Sequence, residues 1–78
     1  MKIEVETRKI IRLELLGKTI KIEISKVDGI DAPFITDGND TVIYDGILGI
    51  RQGESACSVW AGAFRAIANY LEGGDENG

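Results

Sequence analysis

The chain has no histidine. That removes the usual general base near neutral pH, the commonest metal ligand, and every Ser-His or Cys-His nucleophile arrangement. Its single cysteine, Cys57, excludes an intramolecular disulfide and fits a reducing compartment better than secretion. Long apolar runs are missing too: the opening Met-Lys-Ile-Glu-Val-Glu alternates charge with apolar residues, unlike a signal peptide, and no stretch reads as a transmembrane span. The expectation is a cytoplasmic protein, of a cell or a host cell, with no membrane attachment. Basic residues become scarce after Val27, where only Arg51 and Arg65 remain.

What is present is unevenly distributed. Residues 1–27 hold seven Lys/Arg against four Glu, a net +3, whereas residues 28–78 hold two Arg against nine Asp/Glu, a net −7. A duplex-binding protein normally carries a basic excess over its whole domain, so direct duplex nucleic-acid binding is not expected. The length of 78 residues permits one domain of modest stability, about 4 to 12 kcal/mol. Residues 1–74 read as that domain and 75–78 as a disordered acidic tail.

The N-terminal stretch reads as a hairpin over residues 2–27. Ile3, Val5, Thr7, Ile11, Leu13 and Leu15 share one parity on the first arm, and Ile20, Ile22 and Ile24 share one on the second. A turn at Gly17-Lys18 would pair Leu15 with Ile20, Leu13 with Ile22 and Ile11 with Ile24, and would set Glu14 against Lys21 and Arg12 against Glu23. The first arm is the longer, which places it centrally with a later strand on its far side. Further strands are expected within residues 33–50, with Phe34-Ile35-Thr36 as an edge strand and Asp37 to Asp40 as a loop onto Thr41-Val42-Ile43-Tyr44. Asp45-Gly46 admits a type I′ turn or a bulge in a continuous strand, and the sparse second arm around Gly49 favours the continuous strand.

Ser55 then caps a helix over residues 56–72 that Gly73-Gly74 stops. Trp60, Phe64, Ile67 and Leu71 form the stripe expected to face the sheet, and Val59, Ala63, Ala66 and Tyr70 widen the apolar arc into a candidate oligomer interface. The fold class is α+β: an antiparallel sheet of about four strands covered on one face by the C-terminal helix.

The candidate chemistry is thin. Gly53-Glu54-Ser55-Ala56-Cys57 partly matches a Gly-x-Ser-x-Gly elbow but lacks the last glycine and the base, so Ser55 reads as a helix cap. Cys57 in the first helical turn reads as a buried small hydrophobe, and a phosphate site at Arg51 and Gly53 lacks the glycines and lysine of a phosphate loop. Nothing calls for a cofactor or a metal. Asp28, Asp31, Asp37, Asp40 and Asp45 accumulate without an intervening basic residue, and ordinary turn chemistry explains many such residues. Their functional reading is an acidic surface that binds a partner protein with a basic surface, such as a nucleic-acid-handling enzyme. In size, charge and missing catalytic residues the chain resembles the small acidic inhibitors that phages direct at host nucleic-acid enzymes, anti-CRISPR proteins and DNA mimics among them. That resemblance implies a non-enzymatic inhibitor whose carboxylates stand where phosphates would bind. The alternative is a self-assembling homo-oligomer in which the basic hairpin of one chain meets the acidic segment of the next.

Overall fold

The computed structural model describes residues 5–73. Four strands, β1 (Val5–Leu15), β2 (Lys18–Val27), β3 (Ile30–Asp37) and β4 (Val42–Asp45), form one antiparallel sheet, followed by α1 (Gly46–Arg51) and α2 (Ala56–Leu71). The strand order is β1-β2-β3-β4, so each strand pairs with its neighbour in sequence. The expected α+β architecture is thus present. The first residues of the expected hairpin and the 75–78 tail lie outside the described residues.

The meander overturns the expected strand positions. β1 is an edge, not the centre, and β3, which contains Phe34-Ile35-Thr36, lies inside the sheet between β2 and β4. The reason is the second turn: Asp28 (φ 53°) and Gly29 (φ 80°) are both left-handed, the signature of a two-residue type I′ hairpin, and they fold β3 directly back onto β2. The first turn follows the same rule. Leu16 (φ 55°) and Gly17 (φ 76°) form it, with glycine second, instead of Gly17-Lys18 with glycine first. Leu15 therefore pairs with Lys18, Leu13 with Ile20 and Ile11 with Ile22, two residues away from the expected register. A two-residue shift keeps every side chain on its face, so the apolar pattern survives while the charge pairing does not. Arg12 now opposes Lys21 and Glu14 opposes Thr19. Lys21 instead meets Glu23 along its own strand, at 3.5 Å.

Asp45-Gly46 is neither a hairpin turn nor a bulge. Asp45 caps α1, its Oδ1 accepting the backbone N–H of Leu48 at 3.0 Å. Ser55 caps α2 as expected, its Oγ accepting the N–H of Ser58 at 3.1 Å, and Gly73 (φ 75°) ends it with its N–H donating to the Tyr70 carbonyl. The Asp37 to Asp40 loop also forms, closed by the Asp37 N–H donating to the Thr41 carbonyl at 3.0 Å.

The core has two clusters. Ile20, Ile35 and Ala63 form one, with Leu13, Ile22, Ile43, Ile67 and Leu71 packed against it. Val27, Ala32, Ile50 and Val59 form the other. Tyr44 touches both. The helix thus presents Val59 and Ala63, 0% and 1% exposed, to the sheet, with Gly62 against the Tyr44 ring. Small residues let the helix backbone approach the sheet, and the bulkier Ile67 and Leu71 close its rim while Phe64 is 64% exposed. Val59 and Ala63, expected in an oligomer interface, are core residues, and Ala66 and Tyr70 are half-buried beside them. Cys57, expected to be buried, is exposed.

Candidate protein-binding edge

The two edges of this sheet are treated differently. In a two-residue hairpin the residues flanking the turn exchange backbone hydrogen bonds, and such pairs alternate along the ladder. Starting from Val27 and Ile30, the even-numbered residues of β3 bond to β2, and the odd-numbered ones point away from it. Ile35 and Asp37 find β4 and its loop on that side. β4 ends at Asp45, so Asp31 and Pro33 would be left on an open edge. They are not open. The Asp31 carbonyl accepts the Trp60 indole N–H at 3.0 Å. Pro33 has no N–H to leave unpaired, and its carbonyl lies against Gly46 so closely that a Cβ there would overlap the oxygen and sit 2.6 Å from Pro33 Cδ and 2.9 Å from Val59 Cγ1. α1 and Trp60 replace the missing length of β4.

Among the described residues β1 has no such cover. Starting from Leu15 and Lys18, its odd-numbered residues bond to β2, and the N–H and C=O groups of Ile10, Arg12 and Glu14 point outward. Ile10 and Leu15 are 58% and 43% exposed, and the adjoining turn residue Leu16 is 82% exposed. Arg12 and Glu14 are exposed too, and among the described residues no ion pair includes either. A shift in the β1–β2 register between Thr7 and Lys9 limits this flat edge at its start.

Beyond that shift lies a cluster of charges. Arg8 Nη1 meets Asp31 Oδ1 at 2.8 Å, and Lys26 Nζ meets the same oxygen at 3.5 Å. The hydrogen bond from Arg8 is the main cause that holds the Asp31 carboxyl below its ordinary value, with Lys26 adding to it and partial burial opposing it. Arg8, Lys9, Ile24 and Asp31 line a shallow groove of about 230 Å³. A second groove, of about 440 Å³, lies between the Asp37 to Ile43 segment and Ala66, Asn69 and Tyr70 of α2.

The five aspartates proposed as a partner surface are not brought together. Asp28 sits in the β2–β3 turn and Asp40 in the β3–β4 loop, at opposite ends of β3. Asp31 and Asp37 are six residues apart on one strand, about 20 Å. Three of the five have local tasks: Asp31 holds Arg8 and Lys26, Asp45 caps α1, and Asp37 Oδ1 accepts the N–H groups of Asn39 and Thr41 at 2.8 and 2.9 Å. Among the described residues no group of three or more His, Cys, Asp or Glu is placed to hold a metal ion, and no helix is long and apolar enough to cross a membrane. Sequence reasoning missed the open edge because it set β1 at the centre; the signal that would have found it is Asp28-Gly29, which returns β3 to β2. No family model, curated protein or solved structure matches the chain.

Proposed function

We propose that the chain is a non-enzymatic protein-binding module whose contact surface is the β1 edge, on which an extended segment of a partner adds as a further strand. The observation that carries this reading is the asymmetry of the sheet: its far margin is the four-residue β4, with the rest of β3 covered by Gly46 and Trp60, while the long β1 offers the outward backbone groups of Ile10, Arg12 and Glu14 beside exposed apolar side chains. Natural sheets blunt or cover their edges, so a stretch of edge that keeps Ile10 and Leu15 exposed between its charged residues fits a binding role. The acidic-inhibitor reading receives less support, because its carboxylates are dispersed and mostly engaged.

The test compares two variants in a pull-down from a cytoplasmic lysate. Arg12→Pro removes an outward N–H and blocks strand addition while leaving the ladder to β2 its donors. Asp28→Asn with Asp40→Asn removes two exposed carboxylates and keeps side chains that tolerate left-handed backbone. Partner capture lost in the first and kept in the second is the expected result, with circular dichroism confirming that both fold. Capture lost only in the second would restore the acidic surface as the binding site.

A further inference from the structure

Resting on the reading of β1 as a binding edge, we infer that its occupant is a second copy of the same chain, paired β1 to β1 antiparallel about a two-fold axis at Leu13. The register follows from the residues on the edge. With Leu13 opposite its own copy, Arg12 of each chain faces Glu14 of the other, twice, and Ile11 faces Leu15. Arg12 and Glu14 are the residues whose backbone groups point outward, so they form the hydrogen-bonded pairs and exchange four N–H···O bonds across the axis. Leu13 with Leu13 and Ile11 with Leu15 fall in the closer, non-hydrogen-bonded pairs, where apolar side chains meet.

Neighbouring registers fail on charge. Moving the axis to Arg12 opposes two arginines, moving it to Glu14 opposes two glutamates, and moving it to Ile11 sets Ile10 against Arg12. Only the Leu13 axis matches opposite charges and apolar residues together.

Two further features agree. Arg12 and Glu14 are exposed and, among the described residues, take part in no ion pair. Leu16, at the end of the paired segment where Ile10 of the second copy arrives, holds a large apolar side chain 82% exposed on a left-handed residue. Neither property helps the monomer fold. The pairing joins two four-stranded sheets into one of eight strands, with both α2 helices on the same face and β4 at each outer margin.

The test is sedimentation velocity over a concentration series on four proteins: wild type, Arg12→Glu, Glu14→Arg and the double swap Arg12→Glu/Glu14→Arg. Wild type and the double swap should dimerise, and each single variant should dissociate at least about tenfold more readily, since both cross-strand pairs become repulsive. A one-to-one mixture of the two single variants should recover the dimer, because glutamates at 12 and 14 on one chain then face arginines on the other. A wild-type monomer at every concentration, with lysate capture still abolished by Arg12→Pro, would overturn the self-pairing and leave the edge reading standing. A dimer that Arg12→Pro does not disturb would also overturn the self-pairing, and lysate capture equally undisturbed by Arg12→Pro would overturn the edge reading with it.

Discussion

Leu16 holds its backbone at φ 55° beside Gly17 at φ 76°, the geometry a type I′ turn demands at both central positions and that asparagine followed by glycine adopts most readily. A leucine there costs about 1 kcal/mol relative to a residue that tolerates the left-handed region. Its side chain is almost fully solvated, so little packing is lost on replacement. Leu16→Asn should therefore raise the unfolding free energy of the monomer by about 1 kcal/mol, measured at low protein concentration as a higher urea midpoint at constant m-value; an unchanged or lower midpoint there would show that the side chain contributes packing within the chain after all. Asp31 carries a pH dependence of definite sign. Arg8 and Lys26 lower its carboxyl pKa in the folded chain, so its contribution is fully present above the ordinary carboxylate pKa, about 3.9. It disappears as pH falls through the lowered folded value. The stability difference between wild type and Asp31→Asn should accordingly be constant near neutrality and shrink in acid, which denaturant titrations between pH 7 and pH 3 would record. A difference that grew in acid would contradict the assignment.

At the scale of elements, the tightest fit is between α1 and β3. Gly46 is buried where any Cβ meets the Pro33 carbonyl oxygen, Pro33 Cδ and Val59 Cγ1, and none of these is the end of a flexible side chain. Gly46→Ala should cost about 1 to 3 kcal/mol by overpacking, with the Trp60 fluorescence shifting as the indole loses its place at Asp31. An equally stable variant would mean that the sheet edge is not closed by this contact. The elements themselves were largely legible in the sequence: period-two patterning, the Ser55 cap and the glycine stop locate the strands, α2 and its end. Two relations between elements were not. Choosing the register of the first hairpin needed the rule that glycine takes the second place of its turn, and apolar matching alone is blind to a shift of two residues. The helical period alone groups Trp60, Phe64, Ile67 and Leu71 into one stripe, of which Ile67 and Leu71 do reach the core, but it cannot tell that the flank of smaller residues comes closest to the sheet. In the folded chain Val59, Gly62 and Ala63 meet the sheet, and Phe64 faces solvent.

At the scale of the molecule, the basic hairpin and the acidic remainder are partly reconciled within one chain, since Arg8 of β1 and Lys26 of β2 both reach Asp31 of β3. The division of charge that suggested a head-to-tail assembly thus already has an internal partner. The candidate site was the least legible part, because an edge is defined by what fails to lie beside a strand, and that depends on the order of all four. If β1 binds a second copy, the melting temperature should rise with protein concentration, since dimerisation stabilises the folded state by mass action; scanning calorimetry over a hundredfold range would show it. A constant melting temperature would mark the folded chain as monomeric over that range.

The closure of the β3 edge by Gly46 and Trp60 has a consequence for stoichiometry. A sheet open at both margins has a valence of two and can add strands without limit, as fibrils do. Here the margin opposite β1 is β4, only four residues long, with the rest of β3 covered, so a strand has far less to pair with there than along β1. Lengthening β4 is the change that would turn a pair into a polymer.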